Sequence, residues 1–213
     1  MIALLGGSFD PVHLGHVQVA REVRRALRAD DFRMLPAGQP PHRELTGASP
    51  AQRLDMLRLA LAGQTGVGID TLEIERPGPS WMVDTLAQLR AEQPGPPLCL
   101  VLGQDAANHL DSWRQWRRLL ELAHLVIMTR AGQQADYSLE LARELQPRQA
   151  ASLGALQGKP AGCVYLVPVS KIDISATAVR ERIAAGQPLH GWIAPAVEAY
   201  IRQHGLYGAR ISL

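Results

Sequence analysis

The chain opens with MIALLGGSFDPVHLGH (residues 1–16), which joins a short apolar run to a glycine turn and then to two histidines. The run Ile2 to Leu5 is continuously apolar and is bounded by glycines, a pattern typical of a strand that is buried on both faces. Because glycine has no Cβ, the turn Gly6-Gly7-Ser8 lets a ligand approach the backbone closely. The opening therefore predicts a buried strand followed by a turn that can accept a phosphate.

A helix is expected directly after this turn. Apolar residues recur at helical spacing between Val17 and Arg28, and the first turn of that helix carries His16. The positive end of a helix dipole attracts anions. His13 and His16, three residues apart, would place two imidazole donors beside the same anion. This combination points to phosphate chemistry.

Two other interpretations of the opening stay open at this stage. A glycine pair after a strand is commonly an ordinary tight turn, and two histidines at this spacing could be zinc ligands. Zinc needs further ligands, however, and Cys99 and Cys163 both lie inside apolar runs, with no HExxH motif elsewhere. The sequence also contains no Walker A loop and no GxGxxG fingerprint, so a phosphate would be held in another way.

Composition limits the class of protein. The 213 residues can bury a sizeable core, and the formal net charge is only +2. We therefore expect no nucleic-acid surface, and the pairs Arg24-Arg25 and Arg117-Arg118 are interpreted as solvated helix faces. No apolar stretch of eighteen residues and no signal peptide is found, so no membrane association is expected. Two cysteines in apolar strands favour a reducing, cytoplasmic location.

Segments typical of strands and of helices alternate along the chain. Strands are predicted at residues 2–5, 32–36, 67–74, 98–102, 125–128 and 164–169, and helices at 17–28, from Ser49-Pro50 onward, at 80–90 and after Ser175. Such repeated units predict an α/β fold, a Rossmann-like doubly wound parallel sheet with helices on both faces, in a single domain over 1–213. Residues 133–162 are polar and have a helical patch at Leu139 to Leu145, so they are expected to form a peripheral insertion or a mobile connection.

The candidate site lies along one edge of the predicted sheet, because ligands of doubly wound folds gather at the carboxyl ends of strands. The opening turn and Gly103-Gln104-Asp105 each follow a predicted strand. Near the other end, Ser175 is a candidate N-cap, and Thr177 and Arg180 share one side of the helix that Gly186 ends. Taken alone, this second segment also fits an ordinary capped helix with a solvated arginine.

Two motifs resemble those of the nucleotidylyltransferase superfamily. Residues 7–16, GSFDPVHLGH, resemble its G(S/T)FDPxHxGH signature, and residues 174–180, ISATAVR, resemble its ISSTxxR motif, in which hydroxyls, main-chain N–H groups and an arginine hold a triphosphate. The resemblance implies that His13, His16, Arg43 and Arg180 are the catalytic residues. It also implies a set of residues that bind ATP or its phosphates: Gly6, Gly7, Ser8, Phe9, Gly103, Asp105, Ile174, Ser175 and Thr177.

Internal segments resemble one branch of that superfamily, the bacterial nicotinate mononucleotide adenylyltransferases. Residues 78–86, GPSWMVDTL, resemble the G-x-S-Y-T-x-D-T-L segment, residues 103–113 resemble GxD…W, and residues 200–207 match YIxxxxLY. The resemblance covers the chain except for about residues 133–162. It implies that Thr85 and Trp113 receive the nicotinate ring and its carboxylate.

Three positions depart from the family pattern. Arg43 stands where lysine is common, Trp81 where tyrosine is usual, and Ala176 where serine is usual. The first departure keeps the positive charge but changes its geometry. The second affects the contacts to the mononucleotide, and the third removes one hydroxyl from the phosphate site.

The resemblance implies a specific reaction, transfer of AMP from ATP to nicotinate mononucleotide in NAD biosynthesis. The products would be nicotinate adenine dinucleotide and pyrophosphate, formed by direct in-line attack on the α-phosphate. Mg²⁺ would be bound mainly through the ATP phosphates rather than by protein ligands. The expected partners are ATP and nicotinate mononucleotide, with neither nucleic acid nor membrane, and the oligomeric state stays open.

Two alternatives share the phosphate motifs. One is another small-molecule nucleotidylyltransferase, such as a phosphopantetheine adenylyltransferase or a cytidylyltransferase. The other is a nucleotide-binding sensor that has kept ATP affinity and lost turnover. The segment Ser80 to Leu86 and Trp113 argue against the first, and His13, His16 and Arg180 argue against the second.

Overall fold

A single parallel sheet organises the molecule. The computed structural model describes residues 1–39 and 47–209, and the sheet within them has six strands: β1 (Ile2–Gly7), β2 (Asp31–Pro36), β3 (Gly68–Ile69), β4 (Leu98–Gly103), β5 (His124–Thr129) and β6 (Val164–Pro168). Neighbouring strands are parallel, and their order is β3-β2-β1-β4-β5-β6. This order confirms the predicted Rossmann-like α/β fold.

Ten α-helices connect or follow these strands in the described part of the chain. They are α1 (Leu14–Leu27), α2 (Pro50–Leu61), α3 (Leu72–Glu75), α4 (Met82–Glu92), α5 (Gln104–Asn108), α6 (Trp116–Leu122), α7 (Leu139–Leu145), α8 (Leu153–Gln157), α9 (Ala176–Ala184) and α10 (Pro195–Gln203). Within the described ranges, no helix has the length and apolar character that crossing a membrane requires.

The sheet separates two hydrophobic cores. In β1, Ala3 and Leu5 face one core, whereas Ile2 and Leu4 face the other, as the two-residue period of a strand requires. Helices α1, α2, α9 and α10 contribute to the first core, and helices α4, α5, α6 and α7 contribute to the second. Both faces of the sheet are therefore covered by helices, as the sequence predicts.

The segment 67–74 differs from the sequence prediction. A strand over its whole length is wrong, because only Gly68–Ile69 pairs with β2 and Leu72–Glu75 is helical. The Asp70 carboxylate accepts the N–H two residues further on at 3.0 Å and forms a 3.0 Å ion pair with Arg33. A carboxylate that binds the nearby backbone in this way turns the chain out of the strand.

Two helices start directly after the serine that the sequence predicts as the cap. Ser49 Oγ caps α2 by accepting an N–H three residues on at 3.3 Å, and Ser175 Oγ caps α9 in the same way at 3.1 Å. The helix predicted over 80–90 begins two residues later, at Met82, and Trp81 at its N-cap makes no side-chain capping hydrogen bond.

Residues 133–162 connect β5 to β6 and pack on the sheet. The segment contains α7 and α8, and Leu141, Leu145 and Leu156 are buried in the two cores. The Ala150 N–H also donates to the Val164 carbonyl in β6 at 2.8 Å. These contacts fix the segment against the fold. Its description as a peripheral variable segment stays a prediction.

Gly38 lies just beyond β2, where the chain passes the carbonyl of Glu73 in α3. A Cβ added at Gly38 would lie 2.1 Å from that oxygen, so the backbone would have to shift. We expect Gly38→Ala to lower the free energy of unfolding in urea by about 1–3 kcal/mol. Gly68→Ala is the control, because its Cβ meets nothing nearer than 3.7 Å. Equal urea midpoints for the two variants would contradict this constraint.

Candidate active site

The candidate site is a cleft at the carboxyl edge of the sheet, between β1 and β4. The connections from these two strands run to opposite faces of the sheet, which opens a crevice between them. The cleft has a volume of about 480 Å³. It is lined by six of the residues predicted for nucleotide binding: Gly6, Gly7, Ser8, Gly103, Asp105 and Trp113.

His13 and His16 cap the start of α1 reciprocally. His13 Nδ1 accepts the His16 N–H at 3.3 Å, and His16 Nδ1 accepts the His13 N–H at 3.2 Å. This reciprocal capping box starts the helix at Leu14 and places His16 in its first turn, as the sequence predicts. The two rings stack, with their centroids 3.6 Å apart. Since each Nδ1 accepts a hydrogen bond, the proton of each neutral ring lies on Nε2, where it can be donated to a ligand.

Both histidines are neutral at neutral pH. Burial lowers the pKa of His13 to about 4, and the positive charge of Arg130 acts in the same direction. Burial also holds the pKa of His16 well below its usual value, followed by the effects of His13 and Arg130. The pair can therefore donate hydrogen bonds to a phosphate, whereas a positive charge at the site has to come from arginine.

Arg180 reaches the same turn from α9. Its Nη1 donates to the Asp10 carbonyl at 2.7 Å, and its Nη2 donates to Thr177 Oγ1 at 3.3 Å. The residues of the two motifs, at opposite ends of the sequence, thus meet at one place. Ser175 caps α9 here, and Ile174 packs against the first core.

Phe9 packs against the turn Gly6-Gly7-Ser8, which is predicted to accept a phosphate. Its side chain is 2 % exposed, and its ring lies edge-on to His16 with centroids 5.1 Å apart. A Cβ at Gly7 would lie 2.9 Å from the same ring, so a glycine is needed there. Phe9 holds Gly7 and His16 in place.

Arg53 is a site residue that sequence analysis does not identify. It is fully buried in α2, where Nη1 donates to the Ser8 carbonyl at 2.6 Å and Nη2 to the carbonyls of Ala37 and Gly38 at 2.6 and 2.9 Å. Burial lowers its pKa. One signal could have found it, because Arg53 stands four residues before Leu57, on the apolar face of the predicted helix.

Thr85 is not brought into the cleft. Its side chain is completely buried, its hydroxyl donates to Glu73 Oε1 at 2.8 Å, and it accepts from Arg76 Nη1 at 3.0 Å. The hydroxyl is therefore engaged within the protein, and the role of Thr85 in receiving the nicotinate ring stays a prediction. Trp81 and Met82, from the same sequence segment, line the cleft.

Aromatic side chains line the side of the cleft that faces the second core. Trp113 follows a short 3-10 turn after α5 and is half-buried, and Trp81 stands at the start of α4. The Arg114 guanidinium lies 5.3 Å from the centroid of the Trp81 ring. Trp81 replaces the tyrosine usual in the family and keeps an aromatic face, which suits stacking on a flat cationic ring.

Two further predicted residues have different outcomes. Asp105 lies in the first turn of α5 and is not its N-cap, which is Gly103, and its Oδ1 accepts from Gln133 Nε2 at 2.8 Å. Arg43 lies in the segment 40–46, outside the described residues, so its role stays a prediction.

Comparison with known proteins identifies the family. Residues 4–182 match the family model described as Cytidylyltransferase-like. The chain is 42% identical over 207 residues to a protein of Halorhodospira halophila named "Probable nicotinate-nucleotide adenylyltransferase", covering 97% of this chain and 95% of that protein. The chain belongs to the nicotinate-nucleotide adenylyltransferase family. A relative with the same name in Laribacter hongkongensis is 46% identical over 209 residues, with coverages of 97% and 94%.

Solved structures agree with this family at the level of the fold. The nicotinic acid mononucleotide adenylyltransferase of Plasmodium falciparum complexed with NaAD has a TM-score of 0.75 at 16% identity, covering 99% of this chain and 98% of that one. The same enzyme complexed with APC has a TM-score of 0.73 at 17% identity, with the same coverages. The chain thus shares its overall fold with this adenylyltransferase.

The low pKa of His13 predicts acid destabilisation. Between pH 6.5 and about pH 4, His13 is protonated in the unfolded chain but stays neutral in the folded protein. The free energy of unfolding therefore decreases as the pH falls through this window. Asn caps a helix as well and does not titrate, so His13→Asn removes this effect. Urea unfolding at pH 7.5 and pH 5 should show that the parent loses about 2 kcal/mol more than the variant. If the parent and His13→Asn lost the same free energy of unfolding, burial would not lower the pKa of His13.

Proposed function

We propose that the chain transfers AMP from ATP to nicotinate mononucleotide and releases pyrophosphate, as a step of NAD biosynthesis. The observation that carries this proposal is the meeting of two neutral histidines and Arg180 at one turn, beside a cleft lined by Trp81 and Trp113. The histidines and Arg180 can bind phosphates, and the two tryptophans can stack on a flat ring. The names of the relatives support nicotinate mononucleotide as the acceptor.

The proposed reaction is a direct displacement at phosphorus. A phosphate oxygen of the mononucleotide attacks the α-phosphorus of ATP, a new P–O bond forms, and the bond to the β-phosphate oxygen breaks in line with it. The attacking phosphate is already ionised at neutral pH, so no general base is needed. Catalysis then rests on positioning and on stabilising charge that moves to the leaving pyrophosphate.

The phosphate contacts are assigned to the first motif and to α9. The Nε2–H groups of His13 and His16 donate to phosphate oxygens, while Arg180, together with Arg43, neutralises the leaving pyrophosphate. The backbone of the turn after β1 and the start of α9 supply N–H donors around them. The residues proposed to form these surroundings are Gly6, Gly7, Ser8, Ile174, Ser175 and Thr177. Phe9 supports them, and Gly103 and Asp105 face the ribose.

The acceptor half of the cleft is assigned to its aromatic residues. Trp113 stacks on the nicotinate ring, and Trp81 borders it. The ring carboxylate is met by N–H donors at the start of α4, where the dipole of an eleven-residue helix also favours an anion. Thr85 contributes from within the same helix by holding Glu73.

A divalent cation, Mg²⁺, is proposed to be held mainly by the phosphate oxygens of ATP. Among the residues that the structure describes, no group of three or more His, Cys, Asp or Glu side chains is arranged to hold a metal. Mg²⁺ keeps several waters and binds through phosphates, where it would neutralise their charge. A cytoplasmic location is also proposed, because the buried Cys99 and Cys163 are free thiols.

A pyrophosphate-release assay with ATP and three acceptors tests the proposal. Nicotinate mononucleotide should be used, phosphopantetheine should not, and nicotinamide mononucleotide should have a kcat/KM roughly ten- to a hundredfold lower, because charge-assisted hydrogen bonds to the carboxylate are lost. Trp113→Ala should raise KM for both mononucleotides and keep their ratio. Turnover of phosphopantetheine alone would favour the rival adenylyltransferase, and ATP binding without turnover would favour a sensor. Equal kcat/KM values for both mononucleotides would contradict the proposed contact to the nicotinate carboxylate.

The role of the histidine pair is tested by His16→Ala. Loss of one preorganised donor should lower kcat roughly a hundredfold or more, while the far-UV circular dichroism spectrum stays that of the parent. His190→Ala is the matched control, since that histidine is exposed and lies outside the cleft lining. If kcat of His16→Ala stayed within about threefold of that of the parent, His16 would have no catalytic role.

A further inference from the structure

The hydroxyl of Tyr207 is tied to the phosphate turn. It donates to Asp10 Oδ1 at 2.5 Å, across a sequence separation of 197 residues. Asp10 is only 3 % exposed, and the hydrogen bond is partly buried. Burial, followed by Asp10, raises the pKa of Tyr207, which keeps its proton on the hydroxyl. A neutral donor facing a buried carboxylate makes one of the stronger hydrogen bonds in a protein.

Asp10 connects Tyr207 to the groups that are proposed to bind phosphate, Arg180 and the two histidines. Its carbonyl accepts the 2.7 Å hydrogen bond from Arg180, and the preceding Ser8 carbonyl accepts from the buried Arg53 at 2.6 Å. His13 follows only three residues later. A shift of Asp10 would therefore move the Arg180 guanidinium and the histidine cap together.

The ring of Tyr207 also packs against the backbone of Gly47. A Cβ added at Gly47 would lie 3.0 Å from Tyr207 Cδ1, so the ring packs directly on that glycine. Gly47 is the first described residue after the segment that contains Arg43. Tyr207 itself has a φ of +56°, which is unfavourable for a residue with a side chain. Its side-chain contacts offset this cost, as is common where strain serves a site.

We propose that Tyr207 is a positioning residue for phosphate binding. Its hydroxyl fixes Asp10, and through Asp10 it sets the distance between Arg180 and the donors of His13 and His16. Tyr207 touches no reacting atom in this account and acts through its neighbours. The inference rests on the proposed adenylyl transfer, and it adds Tyr207 to the residues that position the phosphate-binding groups.

The variant Tyr207→Phe removes only the hydroxyl. Tyr200→Phe is a matched control, because the Tyr200 hydroxyl also donates to a carboxylate, Asp55 Oδ2 at 3.2 Å, and is half-buried outside the cleft lining. We expect Tyr207→Phe to lower kcat with ATP and nicotinate mononucleotide about tenfold and to leave KM for the mononucleotide within about twofold. The control should keep the parent's kcat.

Calorimetric titration separates positioning from a merely structural role. Because Arg180 is proposed to face the β- and γ-phosphates, which AMP lacks, Tyr207→Phe should weaken ATP binding about tenfold and AMP binding less than about twofold. Equal weakening of ATP and AMP, or none, would overturn the proposal. So would a kcat equal to that of Tyr200→Phe at a temperature where both variants are folded.

The same titration keeps this inference distinct from the proposed function. If the parent releases no pyrophosphate with nicotinate mononucleotide, the proposed reaction fails. The difference between ATP and AMP binding in Tyr207→Phe still decides whether the hydroxyl positions the phosphate groups.

Discussion

The buried guanidinium of Arg53 is the constraint on which the site depends. It joins the turn after β1 to the loop after β2 by donating to the carbonyls of Ser8, Ala37 and Gly38. The bond to the Gly38 carbonyl is buried and the other two are partly buried. A buried oxygen left without a partner would cost about 1–3 kcal/mol. A lysine could not reach three acceptors in this geometry, since it lacks the planar fork of the guanidinium. The shape of the cleft floor thus follows from one charged side chain that the ligand does not need to touch.

Around this floor the structure separates hydrogen-bond donation from charge. His13 and His16 are held neutral by burial, and their Nδ1 atoms are occupied by each other's backbone N–H groups. Positive charge at this turn comes from Arg180. Two neutral donors and a fixed cation can hold phosphates without a large desolvation cost for several buried charges.

The parts of this molecule that could be predicted from sequence depend on local patterns. Buried strands, the caps at Ser49 and Ser175 and the phosphate motifs are all encoded within a few residues. Two of the features that could not be predicted depend on partners distant in sequence. Arg53 needs carbonyls 15 to 45 residues away, and Thr85 turns inward to Glu73, 12 residues earlier. Asp70 ended a predicted strand through a local turn, which an apolar alternation does not reveal.

The division of the protein into two cores has a consequence for its evolution. Helices α1 and α9, which are proposed to bind phosphate, rest on one face of the sheet, while Trp81 and Trp113 pack on the other. Substitutions that reshape one wall are separated from the opposite wall by the rigid backbone of β1 and β4. A lineage can therefore exchange one acceptor for another by mutating residues on a single face, while the machinery for nucleotide transfer is inherited intact. Such a split explains how one scaffold could serve many acceptors.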